Sequence, residues 1–315
     1  MEYEKNFVLV LFFLFFLFFV FLYKQFIVVA RINDFSVSMD FSYSVSWYRN
    51  ENNEYYFFLP SIMTRDSLIP QMNLSDEDLL VQCFDEKGNK LGIITNLKKM
   101  DYLKLDTLYL KASKKGKKST KYTIHIFQSD IPSIFISLEG GSNSYRRLFQ
   151  DKEHTLSVPA SFLLNSNTNE QIISNIQIRG RGNSTWLRPK KPYQIKFSNS
   201  ISLNGNNKSR KFVFLTNHWD GSLSRNYLWF RLSRELGMEY AIDCFPSDVY
   251  LNGGYIGSYL VTNKLEKSPY SIDFSGGYLF EITNTMQYDI LLDHGYRINI
   301  HYPNLKKNNS EIIKK

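Results

Sequence analysis

Residues 178–197, IRGRGNSTWLRPKKPYQIKF, hold the densest set of groups in this chain that could do chemistry. Gly180 and Gly182 punctuate a loop whose backbone can approach a ligand closely, because glycine carries no Cβ. Arg179 and Arg181 beside them supply forked donors that suit phosphate or carboxylate oxygens. The run Tyr193–Phe197 alternates, which places Lys196 on one face of a strand. Loop, strand and strand-borne lysine form a layout that nucleotide-binding sites use. A sugar-binding loop and a purely structural loop fit the same residues.

The elements around this segment read as strands with one helix. Ile134–Leu138 and His154–Pro159 precede it as strands. After it, Lys211–Leu215 is a buried strand leading into Asn217-His218-Trp219-Asp220. Ser222 or Ser224 can cap a helix over about 225–236. Leu228, Leu232 and Leu236 fall on one stripe of that helix, and Gly237 stands where a C-terminal cap belongs. Asp248–Asn252 and Tyr255–Thr262 are strands joined at Asn252-Gly253-Gly254, a strong hairpin signal. Tyr278–Ile282 and Tyr296–Tyr302 are further strands. This half is expected to be α+β, an antiparallel sheet with a packed helix.

The preceding hundred residues read as a β-rich module. Phe35–Val45 alternates, and Glu54–Leu59, Leu79–Phe84 and Gly92–Thr95 are short apolar runs between polar turns. Thr107–Lys111 and Lys121–Phe127 flank a Lys/Gly loop as a hairpin. Strands at this spacing suggest a small sandwich. At the N-terminus, Phe7–Tyr23 is an unbroken apolar run. At about 1.5 Å per residue it reaches roughly 25 Å, and Phe26–Ala30 can extend it. A signal anchor is favoured over a cleaved signal, since Val28 and Ala30 fit the cleavage rule only loosely. The expected organisation is a transmembrane anchor and linker over 1–33, the β-rich module over 34–130, the α+β domain over 131–303 and a polar tail over 304–315. The expected localisation is a single-pass membrane protein, held through its N-terminal helix, with an exported domain.

Composition narrows the partners. The 315 residues carry 38 Lys and Arg against 30 Asp and Glu, a formal charge of +8. Much of it sits in Lys111, Lys114, Lys115, Lys117, Lys118 and Lys121. That run reads as a solvated loop between strands, with anionic lipid or cell-wall polymer as the sharper alternative. Nothing nearby interleaves aromatics with it, which argues against nucleic acid. The two cysteines, Cys83 and Cys244, are far apart and match no metal or redox spacing. His218, His294 and His301 show no ligand spacing either.

Five blocks then resemble the CotH family, named for a spore coat protein H and regarded as atypical secreted or surface protein kinases. They are Arg179–Trp186, Lys190–Lys196, Leu215–Asp220 with Arg225-Asn226, Tyr250–Tyr259 and Gly276–Glu281, in the family order over roughly 131–303. The resemblance implies ATP- and Mg²⁺-dependent phosphoryl transfer to Ser or Thr hydroxyls of surface or coat proteins. Such chemistry requires a phosphate clamp, a cation, metal-holding carboxylates and a carboxylate near the acceptor hydroxyl. On that basis Gly180, Gly182, Asn183 and Ser184 cover the phosphates through backbone N–H groups, with Arg179 and Arg181 beside them. Lys196 neutralises them and Glu235 orients Lys196, the latter by analogy of layout alone. Glu281 completes the candidate set. Each has a bland alternative: a tight turn at the glycines, Trp186 in the core, Lys196 solvated, Glu235 paired with Arg231, Asp220 as helix cap, Glu281 facing solvent. The family pattern continues past Tyr302-Pro303 with aspartates in an Asn-x-Asp-like and a Trp-Asp-x-Asp-type segment. Neither segment stands in this chain, so no catalytic or metal-binding residue is assigned and the domain is expected to be incomplete. The alternative function is a non-catalytic surface protein that binds a protein or cell-wall ligand.

Overall fold

The computed structural model describes residues 29–39, 43–49, 54–65, 68–95, 104–166, 171–266, 278–283, 286 and 288–302. In chain order the strands are β1 (Ile32–Met39), β2 (Tyr43–Ser46), β3 (Tyr48–Arg49), β4 (Glu54–Leu59), β5 (Ile69–Leu74), β6 (Leu80–Phe84), β7 (Lys90–Ile94), β8 (Thr107–Ser113) and β9 (Thr120–Gln128). They continue as β10 (Ser133–Leu138), β11 (Val158–Asn165), β12 (Gln171–Gly180), β13 (Tyr193–Ile201), β14 (Ser209–Leu215), β15 (Cys244–Leu251) and β16 (Gly254–Asn263). The last are β17 (Leu279–Thr283), β18 (Ile290–Leu291) and β19 (Arg297–Tyr302). Two α-helices interrupt them among the described residues, α1 (Gly141–Gln150) and α2 (Arg225–Glu235).

The strands form four sheets. One has the order β2-β1-β5, a second β3-β4-β9-β8-β6-β7, and a third β17-β19-β18. The fourth closes into a barrel, β10-β11-β12-β13-β14-β16-β15. Closure depends on β10 lying parallel to β15, with Ser133 opposite Asp248 and Ile136 opposite Leu251. Two compact units are distinguished, 1–141 with 162–171 and 248–257, and 142–161 with 172–247 and 258–315.

In the first unit the alternation of the sequence is expressed directly. In β4, Tyr55, Phe57 and Leu59 are buried while Glu54, Tyr56 and Phe58 are half-exposed. Phe35, Val37 and Val45 from the three-stranded sheet share one core with Phe57, Leu108, Leu110 and Ile124 from the six-stranded sheet. Phe35 meets Phe57 edge to face at 5.0 Å. The Lys/Gly hairpin between β8 and β9 is tied down by Asp76, whose carboxylate lies 2.6 Å from Lys114 Nζ and 2.7 Å from Lys117 Nζ. At the β15–β16 turn Asn252 and Gly253 both have positive φ, 51° and 81°, as a type I′ hairpin requires.

In the second unit, β12, β13 and β14 run antiparallel, with Ile178 opposite Ile195 and Ile195 opposite Phe212. Ile176, Ile178, Tyr193, Ile195, Phe197, Phe212, Phe214 and Val261 are buried, one side of each strand, and fill the barrel.

Two expectations are corrected here. The described residues are mostly strand, so the α+β class gives way to a mostly β architecture built on a closed barrel. The helix expected to pack does form, but α2 buries none of its residues. Its stripe of Leu228, Leu232 and Leu236 lies exposed. Alternation reveals which residues share a strand face. It does not reveal a parallel pairing between strands more than a hundred residues apart, and that pairing makes the barrel. The expected single-pass membrane localisation through a transmembrane helix is corrected as well: among the described residues no helix is long and apolar enough to cross a membrane. The apolar run 7–23 and the tail 304–315 lie outside the described residues.

Candidate functional site

The glycine loop leaves β12 and is built around Trp186. A short 3-10 turn, Ser184–Leu187, follows Gly182 and drives the indole inward, where it is 4 % exposed. Trp186 sits edge-on to Tyr193 and to His154, ring centroids 6.1 and 4.7 Å apart. Gly180 is required by this packing, because a Cβ there would stand 2.7 Å from both the Trp186 ring and His154 Nδ1. Gly182 has φ +83°, and its Cβ would stand 2.6 Å from Thr185 Oγ1. His154 Nε2 lies 2.6 Å from the Gly182 carbonyl and donates to it, while Nδ1 is buried without a partner. The histidine holds the loop from below. No feature of the sequence marked it, since its neighbours read as a plain strand. Asn183 and Ser184 are exposed at the loop tip.

The basic turn after the loop is structural. Lys191 donates to the Trp186 carbonyl, and its ammonium lies 4.8 Å from the Phe149 ring centroid. Lys190 donates to the carbonyls of Thr216 and Ser258 and lies over the Tyr259 ring. Both lysines combine backbone acceptors with aromatic faces.

A separate set of cations gathers on the outer side of β12, β13, β14 and the end of β16. Register puts Arg179 opposite Gln194 and Lys196 opposite Lys211. The Lys264 amide donates to the Lys211 carbonyl at 2.9 Å, which brings the segment after β16 alongside. Arg179 donates to Gln194 Oε1 at 3.3 Å, and its Nε is buried without a partner. Burial, then the nearby Arg179 charge, holds Arg181 below the usual guanidinium range. Burial also pushes the Lys264 ammonium down, helped by Lys211, Arg179 and Arg181 and opposed by Glu266. Glu266 is taken up by Lys211 at 2.5 Å. Five cations thus lie on this side with one carboxylate, and burial acts on Arg181 and Lys264 among them. Lys196 is exposed.

Arg181 also lines a cleft of about 250 Å³ that opens beside the loop. Thr185, Pro192, His218, Trp219 and Arg225 complete much of its wall. Arg188 stacks its guanidinium on Trp219 at 4.0 Å.

Residues 178–312 match the family model described as CotH kinase protein. Over that segment the chain is similar to the CotH kinase family. No curated protein matches the chain. The match begins at Ile178, on the strand that delivers the glycine loop.

The remaining candidates have partners of their own, and Asp220 lines the same cleft as Arg181. Glu235 lies 3.8 Å from Arg231 in the same helix, and no ion pair with Lys196 forms. Glu281, on β17 of the three-stranded sheet, accepts from His301 Nε2 at 2.7 Å and is exposed. Asp220 is buried and caps α2. Its carboxylate accepts from Ser222 N and Oγ at 3.1 and 2.6 Å and from Arg225 N at 2.7 Å. These donors, Ser222 first, hold its pKa below the ordinary value. Ser224, at the N-cap, makes no side-chain cap bond. Among the described residues no three His, Cys, Asp or Glu side chains converge as a metal site. The sequence reading picked out Arg179, Arg181 and Lys196 but not Lys211, Lys264 or Glu266. The parity of Lys211 with Lys196, each directly before a buried phenylalanine, was the available signal.

Proposed function

We propose that this chain grips the polyphosphate of ATP on the cationic face of Arg179, Arg181, Lys196, Lys211 and Lys264, beside the loop of Gly180, Gly182, Asn183 and Ser184. One observation carries the reading: cations crowd together, partly out of water, around a buried guanidinium Nε that has no partner. Such a group is costly unless an anion neutralises it. Polyphosphate supplies several negative oxygens at once, and two arginines and three lysines provide fork and point charges for them. Similarity to a kinase family supports ATP over other anions. It also supports phosphoryl transfer to Ser or Thr of a protein as the reaction in which this grip serves. The chain's own residues would supply positioning and charge, which is most of what phosphoryl transfer asks of a protein.

Thermal melting of the full chain with and without ATP tests the grip. A ligand that binds only the folded state at 100 times its Kd adds about 2.7 kcal/mol. A rise with ATP that is lost in Arg181→Gln and in Lys264→Gln is expected. A folded protein that ignores ATP rules the reading out.

A second reading, a surface protein that binds without transferring phosphate, is favoured by the partners of Asp220, Glu235 and Glu281. Each carboxylate is already committed to a cap or an ion pair. Labelled-phosphate transfer from ATP to a mixed Ser/Thr protein substrate would sink it.

A further inference from the structure

The β-rich unit carries its own cleft, remote in sequence from the glycine loop. We infer that the cleft on the outer face of β6, β8 and β9 binds an anionic sugar chain, an oligosaccharide bearing carboxylate or phosphate groups. The cleft has a volume of about 490 Å³ and is walled by Phe84, Glu86, Tyr109, Lys111, Lys121 and Thr123, among others. That volume falls in the range of small-ligand sites.

The lysines carry the argument. Lys111 and Lys121 stand directly opposite one another in the antiparallel register of β8 and β9. Like charges at that spacing are destabilising. Neither has a carboxylate partner among the described residues. Two other lysines of the same hairpin are treated differently: Lys114 reaches Asp76 and Asp78, and Lys117 reaches Asp76. The hairpin therefore neutralises Lys114 and Lys117 and leaves Lys111 and Lys121 as a repelling pair at the cleft. An anion placed between the pair would remove the repulsion.

The other walls select the class of anion. Tyr109 lies opposite Phe84 on one side and Thr123 on the other, and it is 38 % exposed. An exposed phenol suits the C–H face of a sugar ring and offers a hydroxyl to its edge. The Asp85 carboxylate closes its own turn, accepting from Lys87 N, Asn89 N and Asn89 Nδ2. Glu86 is left at the rim to accept sugar hydroxyls. A carboxylate beside the lysines disfavours an unbroken phosphate backbone. It is compatible with anionic groups spaced along a polyhydroxylated chain.

The test titrates the full chain with four probes: hexagalacturonate, a phosphorylated oligomannose, neutral cellohexaose and hexaglutamate. Binding by one or both anionic sugars is expected, and the stronger of the two identifies carboxylate or phosphate as the group read. Lys111→Ser with Lys121→Ser should weaken it about tenfold or more, as lost charge-assisted bonds do. Tyr109→Ala should weaken it as well, and Lys115→Ser should not. Lys121→Ser alone should leave the melting temperature unchanged or raise it, because the repulsion is gone. That opposite sign separates lost binding from lost fold. Lys111→Arg with Lys121→Arg keeps the charges and should keep the binding. The inference is overturned if neither anionic sugar binds below about 1 mM, a bound set at weak affinity. It is overturned equally if cellohexaose or hexaglutamate binds more tightly, or if Lys115→Ser weakens binding as much as the cleft variants.

Discussion

The residues of the glycine loop divide by what they touch. Gly180 and Trp186 make the loop's foundation, while Arg179 on β12 and Arg181 just after it bring charge beside it. Gly180→Ala inserts a Cβ at 2.7 Å from the buried Trp186 ring and from His154 Nδ1. It should destabilise the protein by about 1–3 kcal/mol through overpacking, read by denaturant unfolding. Lys264 gives a pH signature. Burial and three neighbouring cations push its ammonium down, so it loses its proton below the ordinary lysine value of about 10.4. Bound phosphate favours the protonated form, so affinity for ATP should fall as pH rises through that lowered value. Measured between about pH 7 and 10, the fall should flatten in Lys264→Arg, since arginine stays charged throughout. At this scale strand parity and residue type are local, so the sequence alone places Lys196 on a strand, β13. It was uninformative for His154 and Lys264, which matter through what the chain brings beside them.

At the scale of elements, local signals were faithful and packing was not. Asn252-Gly253 specified its hairpin, Lys211–Leu215 its strand, and Arg225–Gly237 its helix with a positive-φ glycine after the end. The leucine stripe of α2 suggested a packed helix, yet Leu228, Trp229, Leu232 and Leu236 are all exposed, Trp229 at 68 %. An eleven-residue helix without a buried face is marginal on propensity alone. What fixes it at the N-terminus is Asp220, through Ser222 and Arg225. Asp220→Ala should therefore speed amide hydrogen exchange across 225–235 while leaving β12–β14 protected. Equal loss of protection in the barrel strands would mean that Asp220 supports the barrel and not only the helix. Helix α1 had no clear sequence signal. Its apolar residues are few, and only Leu148 is buried.

Over the whole molecule, two sheets share a core in one unit, and barrel strands carry a cationic face in the other. The sequence showed alternating strands almost throughout, but barrel closure rests on β10 meeting β15, a pairing that no local period encodes. Acid should weaken the β-rich unit. Lys114 and Lys117 hold the Asp76 carboxylate well below the usual range. A carboxylate lowered in the fold contributes stability above its unfolded value, about 3.9, and loses it as pH falls further. Asp76→Asn should remove that pH dependence in melts taken between about pH 5 and 2, leaving a less stable protein at neutral pH.

We propose above that the cationic face beside the glycine loop holds polyphosphate. Equilibrium titration of the full chain with ATP, tripolyphosphate and adenosine tests it most directly, repeated on Arg181→Gln. ATP and tripolyphosphate are expected to bind, and adenosine to bind at least about tenfold more weakly, a difference of about 1.4 kcal/mol or more. Arg181→Gln is expected to weaken the first two alone. Adenosine binding as tightly as ATP, or tripolyphosphate affinity unchanged in Arg181→Gln, would contradict it.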